Sequence, residues 1–209
     1  NIKYNSLPFP NLEIRNANVN IEKSRIEMNI ASIIIYPKLL NIYNYKNFKG
    51  KKIILNQNKI LLSDSDLKLL INYLYDLKNN ASFKNLNLKI NRNNSLLINF
   101  KKINFSNYGY NKNLVRGELF NKKFEIIISD NQNEINFKLL KAGITIDINF
   151  NEIKKKSLIS GIFKSKLLNS NLKFDFNYDD KKIKIYNSFF RSKDLSFNNE
   201  STIIYLPFF

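Results

Sequence analysis

Apolar and polar residues alternate one for one along much of this chain, and that rhythm admits few folds. In Asn85-Leu86-Asn87-Leu88-Lys89-Ile90 every second residue is apolar. The pattern returns in Ile135-Asn136-Phe137-Lys138-Leu139, in Ile144-Thr145-Ile146-Asp147-Ile148-Asn149-Phe150, in Leu172-Lys173-Phe174-Asp175-Phe176-Asn177-Tyr178 and in Ile183-Lys184-Ile185. Successive strand side chains point to opposite faces, so each segment carries one apolar and one polar face. Parallel sheets covered on both sides give continuous apolar runs instead, so the alternation predicts antiparallel pairing. Turn-forming clusters fall between the segments, at residues 91–94, 130–133 and 179–182. Residues 81–209 therefore read as an antiparallel meander of short strands.

The earlier part of the chain is less regular. Residues 1–62 read as N-terminal strands, with a short helical turn near 37–43 where Pro37 takes the first helical position. Residues 63–80 read as an amphipathic helix. Ser63-Asp64-Ser65-Asp66 supply N-cap side chains and acids for the positive end of the helix dipole. Leu67, Leu70, Ile71, Leu74 and Leu77 then follow at helical spacing. Such a helix lies across a sheet or caps its end; one bound at a membrane surface would carry more cations on its polar face.

A weak internal repeat joins two later segments. Val115-Arg116-Gly117-Glu118-Leu119-Phe120 and Ile159-Ser160-Gly161-Ile162-Phe163 each precede an alternating strand, and their glycines are 44 positions apart. That spacing fits a unit of a few strands and points to an elongated sheet. A glycine inside a strand also marks a bulge or a close backbone approach.

Composition excludes more than it identifies. The chain has no cysteine and no histidine, which removes disulfides, thiol catalysis, Cys-based zinc sites and imidazole bases. It has no Gly-rich phosphate loop, no metal-ligand cluster and no serine elbow. The adjacent acids Asp179-Asp180 sit in an expected hairpin turn, where Asp belongs on conformational grounds. No catalytic residue, metal or cofactor is expected. The formal charge of +17 would suit an anionic membrane or a nucleic acid. Yet the cations are scattered between apolar runs rather than gathered on one element, so nucleic acid is not an expected partner. The 37 asparagines and the abundant Ile and Lys carry the stamp of an AT-rich coding sequence, which weakens any reading built on lysine alone. No apolar run reaches the ~18 residues of a membrane-spanning helix. With Asn1 first and Met28 the sole methionine, the chain is expected to be a segment of a longer one.

The apolar face remains to be explained. Two such faces can bury each other in a sandwich, or one open face can hold acyl chains, since each buried methylene contributes about 0.8 kcal/mol. Alternation fits both. The candidate lining residues are Leu86, Leu88, Ile90, Ile144, Ile146, Ile148, Leu172, Phe174 and Phe176. A transmembrane barrel segment, with Pro207-Phe208-Phe209 at its end, is disfavoured because its lumen would be heavily cationic.

A family resemblance tips this balance. The opening Leu7-Pro8-Phe9-Pro10-Asn11-Leu12-Glu13-Ile14-Arg15-Asn16-Ala17-Asn18-Val19 resembles the first strand pair of AsmA-family proteins. The segments Ile33–Leu40 and Phe48–Asn56 are similar to the strands that follow there, and the stretch from Ile159 through Ser196 is similar to the family's recurrent strand unit. What the resemblance implies is a mainly β protein, an elongated curled antiparallel sheet forming a β-groove, with one short amphipathic helix, all one continuous domain of a longer chain. It further implies an inner-membrane anchor outside this segment and a periplasmic location in a Gram-negative-type envelope. The expected partners are phospholipid acyl chains and other envelope proteins, with phospholipid carried between inner and outer membranes. The alternatives are an assembly factor for outer-membrane proteins, presenting a sheet edge to a client strand, and a soluble β-sandwich binding module.

Overall fold

A computed structural model describes residues 1–6, 9–21, 26–38, 50–63, 66, 70, 80–92, 95–131, 133–151, 159–179 and 182–205. Nearly all of these residues are in strands, as the alternation predicts. The chain divides into two compact units, residues 1–121 and 122–209. Strands follow their chain order in both.

The first unit contains β1 (Ile2–Asn5), β2 (Asn11–Ile21), β3 (Ile26–Pro37), β4 (Gly50–Ser63), β5 (Asn80–Arg92), β6 (Ser95–Ser106) and β7 (Leu114–Leu119). Neighbours pair antiparallel with one exception: β4 and β5 run parallel, with Ile60 beside Leu88. This departs from the uniformly antiparallel sheet expected. Parallel neighbours cannot be joined by a tight hairpin turn, and residues 64–79 separate β4 from β5. Of the expected helix at 63–80, Ser63 and Asn80 prove to be strand residues, whereas Leu70 is helical and buried. Ser63 Oγ donates to Asp66 Oδ2 at 2.5 Å, next to the expected cap. The other helix positions lie outside the described residues. Pro37 is not the start of a helical turn; it closes β3 opposite Gly50, a strand-end position where its missing N–H costs little. Residues 39–43 of that turn lie outside the described residues.

One face of this unit is a true core. Val19, Met28, Ile60, Leu88, Phe100 and Leu119 lie side by side across β2 to β7. Met28, Ile60 and Leu119 in that row are buried, as are Ile26, Ile30, Leu62, Leu86 and Ile90 around it. Elsewhere Ile33-Ile34-Ile35 and Ile53-Ile54-Leu55 are apolar on both faces of β3 and β4, and all six side chains are at least half-buried.

A line of left-handed residues crosses the same strands. Asn16 in β2, Gln57 in β4, Asn85 in β5 and Lys102 in β6 have φ of 54°, 52°, 56° and 51°. Bulges bend strands and break their ladders, leaving backbone groups to be satisfied otherwise. Asparagine side chains take that role here. Asn104 Oδ1 accepts from Asn85 N–H and Asn87 Oδ1 accepts from Lys102 N–H, both at 3.1 Å. Asn58, wholly buried, donates from Nδ2 to Leu55 O. Some of the asparagine excess is thus structural, whatever its origin in coding bias.

The second unit contains β8 (Lys122–Ile128), β9 (Glu134–Leu139), β10 (Ile144–Phe150), β11 (Ile159–Leu167), β12 (Ser170–Asp179), β13 (Lys182–Arg191) and β14 (Ser196–Tyr205). Every neighbouring pair from β8 to β14 is antiparallel. Its turns use the predicted chemistry: Ser129 Oγ lies 2.7 Å from Asn131 Oδ1 and accepts from Glu134 N–H, and Asp179 Oδ1 accepts from Lys182 N–H.

Candidate functional site

The antiparallel register of the second unit gathers its apolar side chains onto one face. One row runs Ile128, Ile135, Ile148, Phe163 and Phe174. A second runs Ile126, Phe137, Ile146, Ser165, Leu172, Phe190 and Phe197. Phe150, Gly161, Phe176 and Ile185 form a third. Aromatic pairs stiffen this face. Phe163 stacks on Phe174 with ring centroids 4.6 Å apart, and Phe150 meets Phe176 edge-on at 6.2 Å. Gly161 is required there, because a Cβ would press against the carbonyl of Asn149 and lie 3.1 Å from Phe176 Cζ. The expected close backbone approach is therefore present at this glycine.

The face has no second layer among the described residues of its unit, which are strands of one sheet and their turns. Its side chains are accordingly half-exposed, and only Phe124 and Leu139 of its large apolar residues are buried. The opposite face is mixed: one row runs Ile127, Asn136, Asp147, Lys164, Lys173 and Phe189, polar at its centre with exposed apolar residues at its ends.

Each expected lining residue can now be placed. Ile144, Ile146, Ile148, Leu172, Phe174 and Phe176 share the half-exposed face of the second unit. Leu86, Leu88 and Ile90 belong to the first unit, where Leu86 and Ile90 are buried in its core and Leu88 is half-buried. Six of the nine side chains are thus together and partly exposed on one face; of the other three, Leu86 and Ile90 are buried and Leu88 is partly buried beside them.

Chemistry of other kinds finds little footing. Among the described residues no group of three Asp or Glu side chains is placed to hold a metal. A hollow of about 490 Å³ along the bulge line of the first unit is lined by Arg15, Ser32, Asn56, Gln57, Lys84 and Asn85. Arg15 is already engaged there, donating to Glu13 Oε1 at 2.9 Å, and that hydrogen bond holds the Glu13 carboxyl below its ordinary range. Ser165 Oγ is buried without a hydrogen-bond partner, the polar interruption in the second row.

Comparison with known protein families, with curated proteins and with solved structures returns no match. The AsmA resemblance accordingly stands on the residues that carry it, and function has to be argued from the face itself.

Sequence reading missed one feature, the rim of the second unit. Leu140, Leu168 and Leu195 occupy its turns and are exposed. The available signal was apolar residues where turn chemistry calls for Gly, Asn or Asp, in Leu139-Leu140-Lys141-Ala142-Gly143 and Leu167-Leu168-Asn169.

Proposed function

We propose that the half-exposed face of the second unit binds phospholipid acyl chains, in an AsmA-like, membrane-anchored envelope protein that moves phospholipid between membranes. The observation that supports this most is the uncovered apolar face itself. It is a broad surface of Ile, Leu and Phe on a single sheet, larger and more continuous than the scattered apolar residues of an ordinary protein exterior. Its rows carry few groups that would orient a polar ligand. Linear hydrocarbon needs no such groups, since its affinity comes from area removed from water. The closed sandwich finds no support, because the second unit has no opposing sheet among its described residues.

The test is lipid extraction from the full purified chain, followed by mass spectrometry. Phospholipid is expected to co-purify, and Ile148→Asn with Phe174→Asn is expected to reduce it about tenfold, as losing two apolar contacts should. Wild-type protein free of lipid would overturn the reading. The second reading, an assembly factor, is favoured by β14: it is last in strand order and almost wholly exposed, a ready template for an added strand. A client-strand peptide that protects β14 amides from hydrogen exchange, with no lipid bound, would support that reading instead.

A further inference from the structure

The second unit spends conformational strain to expose leucine. Its β9–β10, β11–β12 and β13–β14 turns lie along one rim of the sheet, about 10 Å apart at two strand spacings. Leu168, in the two-residue turn between Leu167 and Ser170, has φ of 56° and is 66% exposed. A side chain with a Cβ is disfavoured in that left-handed backbone, and an isolated leucine in water gains nothing there. Asn or Gly would satisfy the turn better on both counts. Leu195, 58% exposed, tips the β13–β14 turn, where Ser192 N–H donates to Leu195 O at 2.7 Å. Leu140 is exposed in the β9–β10 turn, which is tied to its neighbour by Leu168 N–H donating to Gly143 O at 3.0 Å. The described turns of the opposite rim use Ser129, Asp130, Asn131 and Asp179 instead, ordinary turn residues.

Cations surround these leucines. Lys141, Lys166, Arg191 and Lys193 are exposed on this rim and have no ion-pair partner among the described residues, against one nearby acid, Asp194. Between the β11–β12 and β13–β14 turns lies an open hollow of about 500 Å³, lined by Asn169, Asn171, Arg191, Lys193 and Asp194 among others. Exposed apolar tips ringed by unpaired cations match an interface with hydrocarbon on one side and phosphate on the other.

We infer that this rim docks on the surface of an anionic phospholipid bilayer. Leu140, Leu168 and Leu195 enter the acyl boundary, while Lys141, Arg191 and Lys193 meet headgroup phosphates. Docking here uses the rim and not the apolar face, so it holds whether or not that face carries lipid.

The full chain is tested by sedimentation with phosphatidylcholine vesicles, with and without phosphatidylglycerol. Wild-type protein is expected to sediment with the anionic vesicles and at least about tenfold more weakly with the neutral ones. Leu168→Asn is expected to weaken anionic-vesicle binding roughly fivefold while leaving the melting temperature unchanged or raised, a pairing that a structural role for Leu168 would not give. The Ile148→Asn, Phe174→Asn double variant should keep vesicle binding while losing co-purified lipid, which separates this inference from the proposed function. Absence of wild-type binding, equal binding to neutral vesicles, or full binding by Leu168→Asn would each overturn it.

Discussion

The two units bring apolar residues together by the same rule and then treat them differently. In the first, Val19, Met28, Ile60, Leu88, Phe100 and Leu119 form a row across six strands in which Met28, Ile60 and Leu119 are buried. In the second, Ile128, Ile135, Ile148, Phe163 and Phe174 form a row just as regular and stay half-exposed. The two units also differ in connectivity. The first unit contains the parallel β4–β5 pair, and the chain between those strands contributes the helical, buried Leu70. The second is built of antiparallel neighbours, and its described residues are strands of one sheet and their turns. Alternation therefore says which face is apolar, not whether that face is covered.

The same substitution in both rows should break this comparison if it is wrong. Ile60→Ala removes a side chain only 3% exposed and is expected to cost about 2–5 kcal/mol, the transfer loss plus the cavity. Ile148→Ala removes a side chain that is only partly buried and should cost less, about 1–2 kcal/mol. Urea denaturation of each variant measures the gap. Equal costs would mean that the second face is covered in solution, and the lipid reading would fall with that result.

Gly161 sharpens the comparison from the other side. A unit with one layer depends on tight contact within its sheet, and here the Phe176 ring lies over the Gly161 backbone. Gly161→Ala should displace both the ring and the neighbouring strand, costing about 1–3 kcal/mol. The signature is local: near-ultraviolet circular dichroism should change with the Phe150–Phe176 pair, while first-unit signals keep their native values. A silent substitution would show that the strands are looser than the register implies.

Much of this architecture is legible in the chain because a strand writes its two faces into alternate residues. β5, β9, β10, β12 and β13 were visible that way, and the turns at 130–133 and 179–182 by their Asn and Asp. The parallel β4–β5 pair was not visible. Ile33-Ile34-Ile35 and Ile53-Ile54-Leu55 announce two apolar faces, but a period of two is the same whether the neighbour runs up or down. β14 carries almost no alternation in Ser196-Phe197-Asn198-Asn199-Glu200-Ser201 and owes its conformation to pairing with β13. Of the site, the half-exposed residues from Ile144 to Phe176 could be named from sequence, whereas Leu86 and Ile90 could not be told apart from them. Burial depends on what lies opposite, and that is a tertiary fact. The rim leucines went unseen because turns are read for the residues that favour them, not for those that defy them.

The smallest expected effect concerns the bends. Both units hold a non-glycine residue in left-handed backbone inside a bulged strand: Gln57 at 52° in β4 and Asn187 at 50° in β13. Asparagine tolerates this conformation because its short amide bonds locally, whereas glutamine gains nothing from it. Asn187 uses that freedom, its Nδ2 donating to Asp175 Oδ2 at 2.8 Å on the neighbouring strand. A reciprocal exchange should therefore have opposite signs. Gln57→Asn is expected to stabilise the first unit by about 0.5 kcal/mol, and Asn187→Gln to destabilise the second by about 1 kcal/mol, its lost hydrogen bond adding to the backbone cost. Native-state hydrogen exchange of β4 and β13 amides resolves changes of this size in each unit separately. If both substitutions destabilise, the bends are held by packing around each residue rather than by backbone preference, and the two units would share more of their architecture than their unequal burial implies.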